Sequence, residues 1–242
     1  MTDTMLILIA FVFALAGFVK GVIGLGLPTV AMGLLATTMT PVQALTIVIV
    51  PAVVTNIWQT FAGPYLRDII RRLWPLLLTT AIAIWLGGGL MTGPYAKYCA
   101  VILGVLLVVY AVVTLVKFQF RTAPKDEKWV GGIVGAITGV VSAATGVQVI
   151  PSMPFMQSIG MEKNELVQAL GLYFTVATLA QAFNLTSAVP GVIAMITAFA
   201  GMFLGQAVRD RMAPEQFRRW FLIAMLLLGI YLAVSATIAV MK

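Results

Sequence analysis

The sequence predicts an all-α polytopic membrane protein. It reads as two inverted structural repeats, each a broken or re-entrant helix hairpin followed by three transmembrane helices. Three observations predict this. First, 61% of the 242 residues are hydrophobic and only 10% are charged, against about 25% charged in soluble domains. Second, residues 4–19, 21–66, 73–96, 98–116, 129–161, 166–208 and 220–241 carry no charge at all. Together these runs hold about ten crossing lengths of ~20 residues. Third, the chain repeats its own pattern. A soluble enzyme, a disordered tail and a nucleic-acid module are excluded by this composition, and a β-barrel would show short alternating segments instead.

The net charge of +7 reads as membrane orientation, because all but one of the lysines and arginines sit in or beside loops. A single cysteine, Cys99, allows no internal disulfide. The chain has no histidine, so it lacks the commonest metal ligand and the usual neutral-pH proton shuttle. The N-terminal apolar stretch has an Ala14-Leu15-Ala16 triplet but no basic segment before it, so it reads as a helix and not as a cleaved signal.

The repeat is visible in order along both halves. Gln43-Ala44-Leu45 followed by Asn56 matches Gln168-Ala169-Leu170 followed by Gln181, at an offset of 125. Gly17 and Gly21 match Gly135 and Gly139, and Leu86-Gly87 matches Leu204-Gly205. The expected division is residues 1–117, a basic linker over 118–128, and residues 129–242. Such repeats are common in transporter folds.

Each half opens on a long apolar segment interrupted by helix breakers. Met5–Thr37 is broken around Gly24, Gly26 and Pro28, and Trp129–Ile159 around Ser142 to Gln148, with Pro151 and Pro154 beyond. Three conventional helices follow each time, near 41–62, 70–91 and 95–117, then 163–185, 189–208 and 217–240. If each broken element returns to its own side, twelve basic residues, Arg67 to Arg72 and Lys117 to Arg219 among them, share one face. Only Lys97 and Lys242 take the other, as the positive-inside rule demands. Equivalent loops of the two halves also exchange basic for uncharged character, as inverted repeats require. The alternative is eight single-crossing helices, which splits the positive charge almost evenly.

The arrangement resembles the sulfite exporter TauE/SafE family of bacterial membrane permeases. The resemblance rests on Gly17-Phe18-Val19-Lys20-Gly21-Val22-Ile23-Gly24-Leu25-Gly26, on the recurrence of that opening at Gly135, and on Pro41-Val42-Gln43-Ala44-Leu45 with its echo near Glu165–Leu170. The family's first motif often has consecutive glycines where this chain has Leu25 and Leu27. Its second is usually glycine-rich where this chain reads Ser142-Ala143-Ala144-Thr145-Gly146. The resemblance implies a multi-pass protein of the bacterial inner membrane that moves sulfite, organosulfonates or related small anions, usually outward. Its partners would be a small anion and membrane lipids, with no nucleic acid, no metal and no other cofactor. The oligomeric state is left open.

The candidate site lies at the breaks. Lys20 is the only charge inside a long apolar run, where a lysine costs about 3 kcal/mol on insertion scales. It is either an anion partner or a snorkelling side chain. A helix restarting after Gly26 or Gly146 offers free N–H groups to an oxyanion. If the two tips meet near the midplane, Gly24, Gly26, Pro28 and Thr29 line one side and Ser142, Thr145, Gly146 and Gln148 the other. The competing reading is close packing by small residues. Asn56 and Gln181, the deeper matched amides, either donate to the anion or bond between helices, as do Gln59 and Asn184. Gln43 and Gln168 lie near helix starts and suit capping. The acidic residues all fall at helix ends or loops, so the expected mechanism is a facilitator, or a carrier whose protons ride on the substrate. No nucleophile–base pair suggests an enzyme. The other readings are a transporter of another small anion, such as a carboxylate, and a membrane scaffold.

Overall fold

The computed structural model of the chain describes residues 3–24, 26–92, 96–116, 121–183, 192–209 and 214–241. Among them lie ten helices: α1 Asp3–Ile23, α2 Leu27–Leu35, α3 Pro41–Thr60, α4 Leu66–Leu86, α5 Ala96–Leu115, α6 Glu127–Thr145, α7 Ser152–Ser158, α8 Lys163–Ala182, α9 Val192–Arg209 and α10 Pro214–Met241. No strand is present among the described residues. The order long, short, long, long, long occurs twice, with a break in each opening element at the expected glycines. Asn184 and the start of the basic linker lie outside the described residues.

Six helices are long and apolar enough to cross a membrane: α1, α3, α4, α5, α6 and α10. The protein is therefore a multi-pass membrane protein. This set differs from the six crossings expected from sequence. The first leg of each opening element is a full-length helix, 21 residues in α1 and 19 in α6. Only the second legs are short, at 9 and 7 residues. The reason is that each break lies past the middle of its apolar run, with room before it for a full-length helix but only for a short one after it. Helix α8 is too polar to count as an apolar span, but α3, α4, α6 and α7 pack against it. Its amides Gln168 and Gln181 are buried and therefore face protein rather than lipid.

Local signals explain the helix ends. Thr40 and Gln43 form a reciprocal capping box at the start of α3, with Pro41 at its first position. Helix α1 ends where the Gly24 N–H donates to the Lys20 carbonyl at 2.7 Å, with Gly24 at φ +84°. Helix α6 ends the same way: Gly146 donates to the Ser142 carbonyl at 2.8 Å, with φ +74°. Both breaks are thus left-handed glycine caps.

Packing follows the small residues. A Cβ on Gly17 would stand 2.1 Å from the Ala198 carbonyl oxygen, and one on Gly21 2.2 Å from that of Met202. Helices α1 and α9 therefore touch backbone to backbone and run in the same direction. Gly135 meets Leu76 and Thr79, and Gly139 meets Thr80 and Ala83, so α6 and α4 form the matching parallel pair. Gly104 lies against Ala233, and Gly229 against Val108, which makes α5 and α10 antiparallel. At the centre, the end of α3 meets the start of α8: the Gln168 amide donates to the Thr60 and Gly63 carbonyls and accepts from the Tyr65 N–H. Exchanging the two halves, α1 for α6 through α5 for α10, carries each of these pairs onto another or onto itself.

One ionic cluster ties the halves together. The Arg72 guanidinium donates from Nε and Nη2 to both Glu127 carboxylate oxygens at 2.6 Å, and to the Ile159 carbonyl. Glu165 stands 3.8 Å from its third nitrogen. This fork joins α4 to the starts of α6 and α8 and to the end of α7.

Substitution Gly21→Leu is expected to separate α1 from α9 at a cost above about 3 kcal/mol, because backbone and not a movable side chain stands in the way. Gly89→Leu, with nothing within 4 Å of its Cβ position, is expected to be tolerated. The yield of monodisperse protein in size-exclusion chromatography checks the pair.

Candidate functional site

The first break opens on a cavity of about 370 Å³. Lys20, Gly21 and Gly24 line it from α1, Trp58 and Gln59 from α3, Asn164, Val167 and Gln168 from α8, and Met202 and Gln206 from α9. The α3–α4 turn, from Ala62 to Tyr65, forms its rim. Asn164, Gln206 and Trp58 are exposed, whereas Lys20 is only 3% exposed. The cavity therefore runs from the surface to a buried cation.

Lys20 is held by neutral oxygens. Its Nζ donates to Thr55 Oγ1 at 3.1 Å and to Asn56 Oδ1. It makes no ion pair among the described residues. Its head turns inward between α1 and α3, which is not how a snorkelling lysine lies. An ammonium with no counter-ion in a membrane interior is costly, and a bound anion removes that cost.

Gln59 closes the break. Its Nε2 donates to the Gly24 and Val167 carbonyls, both at 2.7 Å. Gln59 Oε1 and Asn56 Nδ2 are buried without a hydrogen-bond partner among the described residues. They lie one turn apart on the same face of α3. The wall thus carries Lys20 and a free acceptor, with a free donor on Asn56 behind it.

The second break is arranged differently. Gln181 Nε2 donates to the Ser142 carbonyl at 2.7 Å, and Gln148 Nε2 donates to Gln181 Oε1 at 2.8 Å. Ser142 Oγ bonds the Val147 carbonyl. Thr145 Oγ1 donates to the Val141 carbonyl and accepts from the Val147 N–H. Gly146 faces Met32 and Leu45. These polar groups are used within the break or between it and α8, so this break is closed on itself.

Of the ten residues expected at the site, the cavity brings together Lys20 and Gly24, with Asn56 bonded to Lys20 behind the wall. Gly26 instead neighbours Val19, Val30 and Phe221. Thr29 is buried in α2 with an unpartnered hydroxyl away from the cavity. Ser142, Thr145, Gly146, Gln148 and Gln181 form the separate cluster. The tips do not meet at one point. The first contacts α8 at Val167 and the second at Thr178 and Gln181, eleven residues or more along, about 16 Å on a helix. Sequence reasoning did not assign Gln168, Asn164 or Gln206 to the wall. Gln206 is a lone amide in an apolar run, which is a usable signal. Asn164 and Gln168 sit at a helix start, where capping is the ordinary explanation.

Comparison with protein families adds the decisive observation: the model of the sulfite exporter TauE/SafE family matches residues 9–232. The chain belongs to that family. A search of curated proteins found no match, nor did a search of solved structures. Membership identifies a membrane transporter of anions or sulfur compounds, and the TauE/SafE match spans both breaks and every helix that lines the cavity.

Gln181→Leu is expected to strand the Ser142 carbonyl and the Gln148 amide in the interior. The expected loss is about 1–3 kcal/mol of stability, read as a lower aggregation temperature of the detergent-solubilised protein.

Proposed function

We propose that this chain exports a small sulfur oxyanion, sulfite or an organosulfonate, across the bacterial inner membrane, and that the anion binds at the first break. The observation that carries the reading is Lys20, a buried ammonium on a cavity wall with no carboxylate beside it, in a chain of a transporter family. A free amide N–H of Asn56 stands next to it. In this reading the second break is an anchor, and the anion sits at the first tip and not midway between the two.

The same reading takes the halves as inverted repeats. What supports it is the direction of packing. If each opening element crossed once, α5 and α10 would run parallel; contacts at Gly104 and Gly229 run antiparallel. The cavity's rim lies at the α3–α4 turn, the start of α8 and the end of α9, beside Arg67, Arg71 and Lys163 in sequence. The positive-inside rule puts that rim in the cytoplasm, where an exporter collects its cargo.

Flux from loaded proteoliposomes tests this. Sulfite and short sulfonates are expected to leave saturably, and Lys20→Met to lower that flux at least about tenfold, the loss of one charge-assisted contact. Glu165→Gln, next to Arg72 and off the cavity wall, is expected to leave the response to an imposed pH gradient unchanged. Full flux in Lys20→Met overturns the placement of the site. No flux of any anion from folded protein overturns the transport reading.

A further inference from the structure

We infer that the cavity at the first break prefers a monovalent oxyanion bearing an N–H or O–H over a divalent, acceptor-only oxyanion of the same size, with Lys20 matching the charge and Gln59 the donor. The inference rests on that cavity being the transport site.

The charge preference comes from Lys20. It is the only charged side chain on the wall among the described residues, and it has no ion-pair partner there. One buried ammonium is neutralised by one negative charge. A divalent anion leaves a second charge uncompensated in a medium of low dielectric, where unpaired charge is expensive. The remaining wall groups, from the glycines to the amides, bring hydrogen bonds but no charge.

The donor preference comes from Gln59. Its Nε2 is committed to the Gly24 and Val167 carbonyls. Turning the amide over would set its oxygen against both carbonyls, so the orientation is fixed by its partners. That leaves Oε1 as a buried acceptor, 7% exposed and without a partner, on the wall that holds Lys20. An acceptor-only anion presents lone pairs to it. An anion with a hydrogen to give satisfies it while its oxygens take the Lys20 ammonium. A site with a waiting acceptor discriminates against ligands that lack the hydrogen.

Three anions of nearly equal size separate the two elements, the first pair differing in charge and the second in the hydrogen: sulfate (divalent, acceptor-only), methanesulfonate (monovalent, acceptor-only) and sulfamate (monovalent, with N–H). Competition with sulfite flux in proteoliposomes is measured at one neutral pH. Methanesulfonate is expected to compete at least about tenfold better than sulfate, and sulfamate about tenfold better than methanesulfonate. Gln59→Leu is expected to abolish the second ratio. Equal competition by sulfate and methanesulfonate overturns the charge element. Equal competition by methanesulfonate and sulfamate, or a sulfamate preference that survives in Gln59→Leu, overturns the donor element. Both wild-type ratios stand without the variant should Gln59→Leu fail to fold. Sulfite flux that none of the three anions inhibits overturns the inference and leaves sulfite transport intact, whereas absence of sulfite flux overturns the transport reading itself.

Discussion

An interrupted helix in a membrane leaves carbonyl groups that neither water nor the helix satisfies, and the site depends on how that is solved at Gly24. The solution is one side chain. Gln59, reaching from α3, takes the Gly24 carbonyl with one hydrogen and the Val167 carbonyl of α8 with the other. It therefore fastens the break of the first half to a helix of the second. This places Lys20, one turn before the cap, against Thr55 and Asn56 on the same helix as Gln59. The cation, the cavity and the two unused amide atoms all follow from the partner chosen for that carbonyl.

The two breaks show one backbone device put to two ends. Each is a left-handed glycine whose N–H returns to the carbonyl four residues back. The residue at that carbonyl is Lys20 in one half and Ser142 in the other. Sequence offsets taken from Gly17 and Gly135 pair Lys20 with Thr138, one turn away from this structural pairing. At Ser142 the neighbouring amides close on each other and on the backbone. At Lys20 they are left with an unused donor and an unused acceptor. The neutral break is closed by its own neighbours; the break with the lysine is the one proposed to take a ligand.

Much of the fold was legible because lipid enforces simple rules. Uncharged runs located the helices within a few residues, Gln43 was placed at the helix start that it caps, and the repeated Gly17, Gly21, Gly135 and Gly139 turn out to lie on helix faces that touch. The breaks were legible as glycines. What lay beyond the sequence was register between helices. Nothing in the spacing of Gln181 and Gln148 says that they bond to each other, or that Gln168 spends its amide on the α3–α4 turn. The two tips contact α8 more than two turns apart for the same reason: where a break falls along its neighbour is decided by contacts such as Gly24 with Val167, not by distance along the chain.

The directions of packing connect the charge pattern to the site. Parallel pairing of α1 with α9 and of α6 with α4 fits either route through the membrane, so these contacts alone decide nothing. The antiparallel pairs, α5 with α10 and α3 with α8, support the proposed reading in which each short second leg returns toward its starting face. In that reading the ends of α1, α3 and α9 and the start of α8 share one face, and these are the elements around the cavity. In the same reading the positive-inside rule gives that face the basic loops as well. Their lysines and arginines would draw anions toward the mouth, and Lys20 would select what the interior holds.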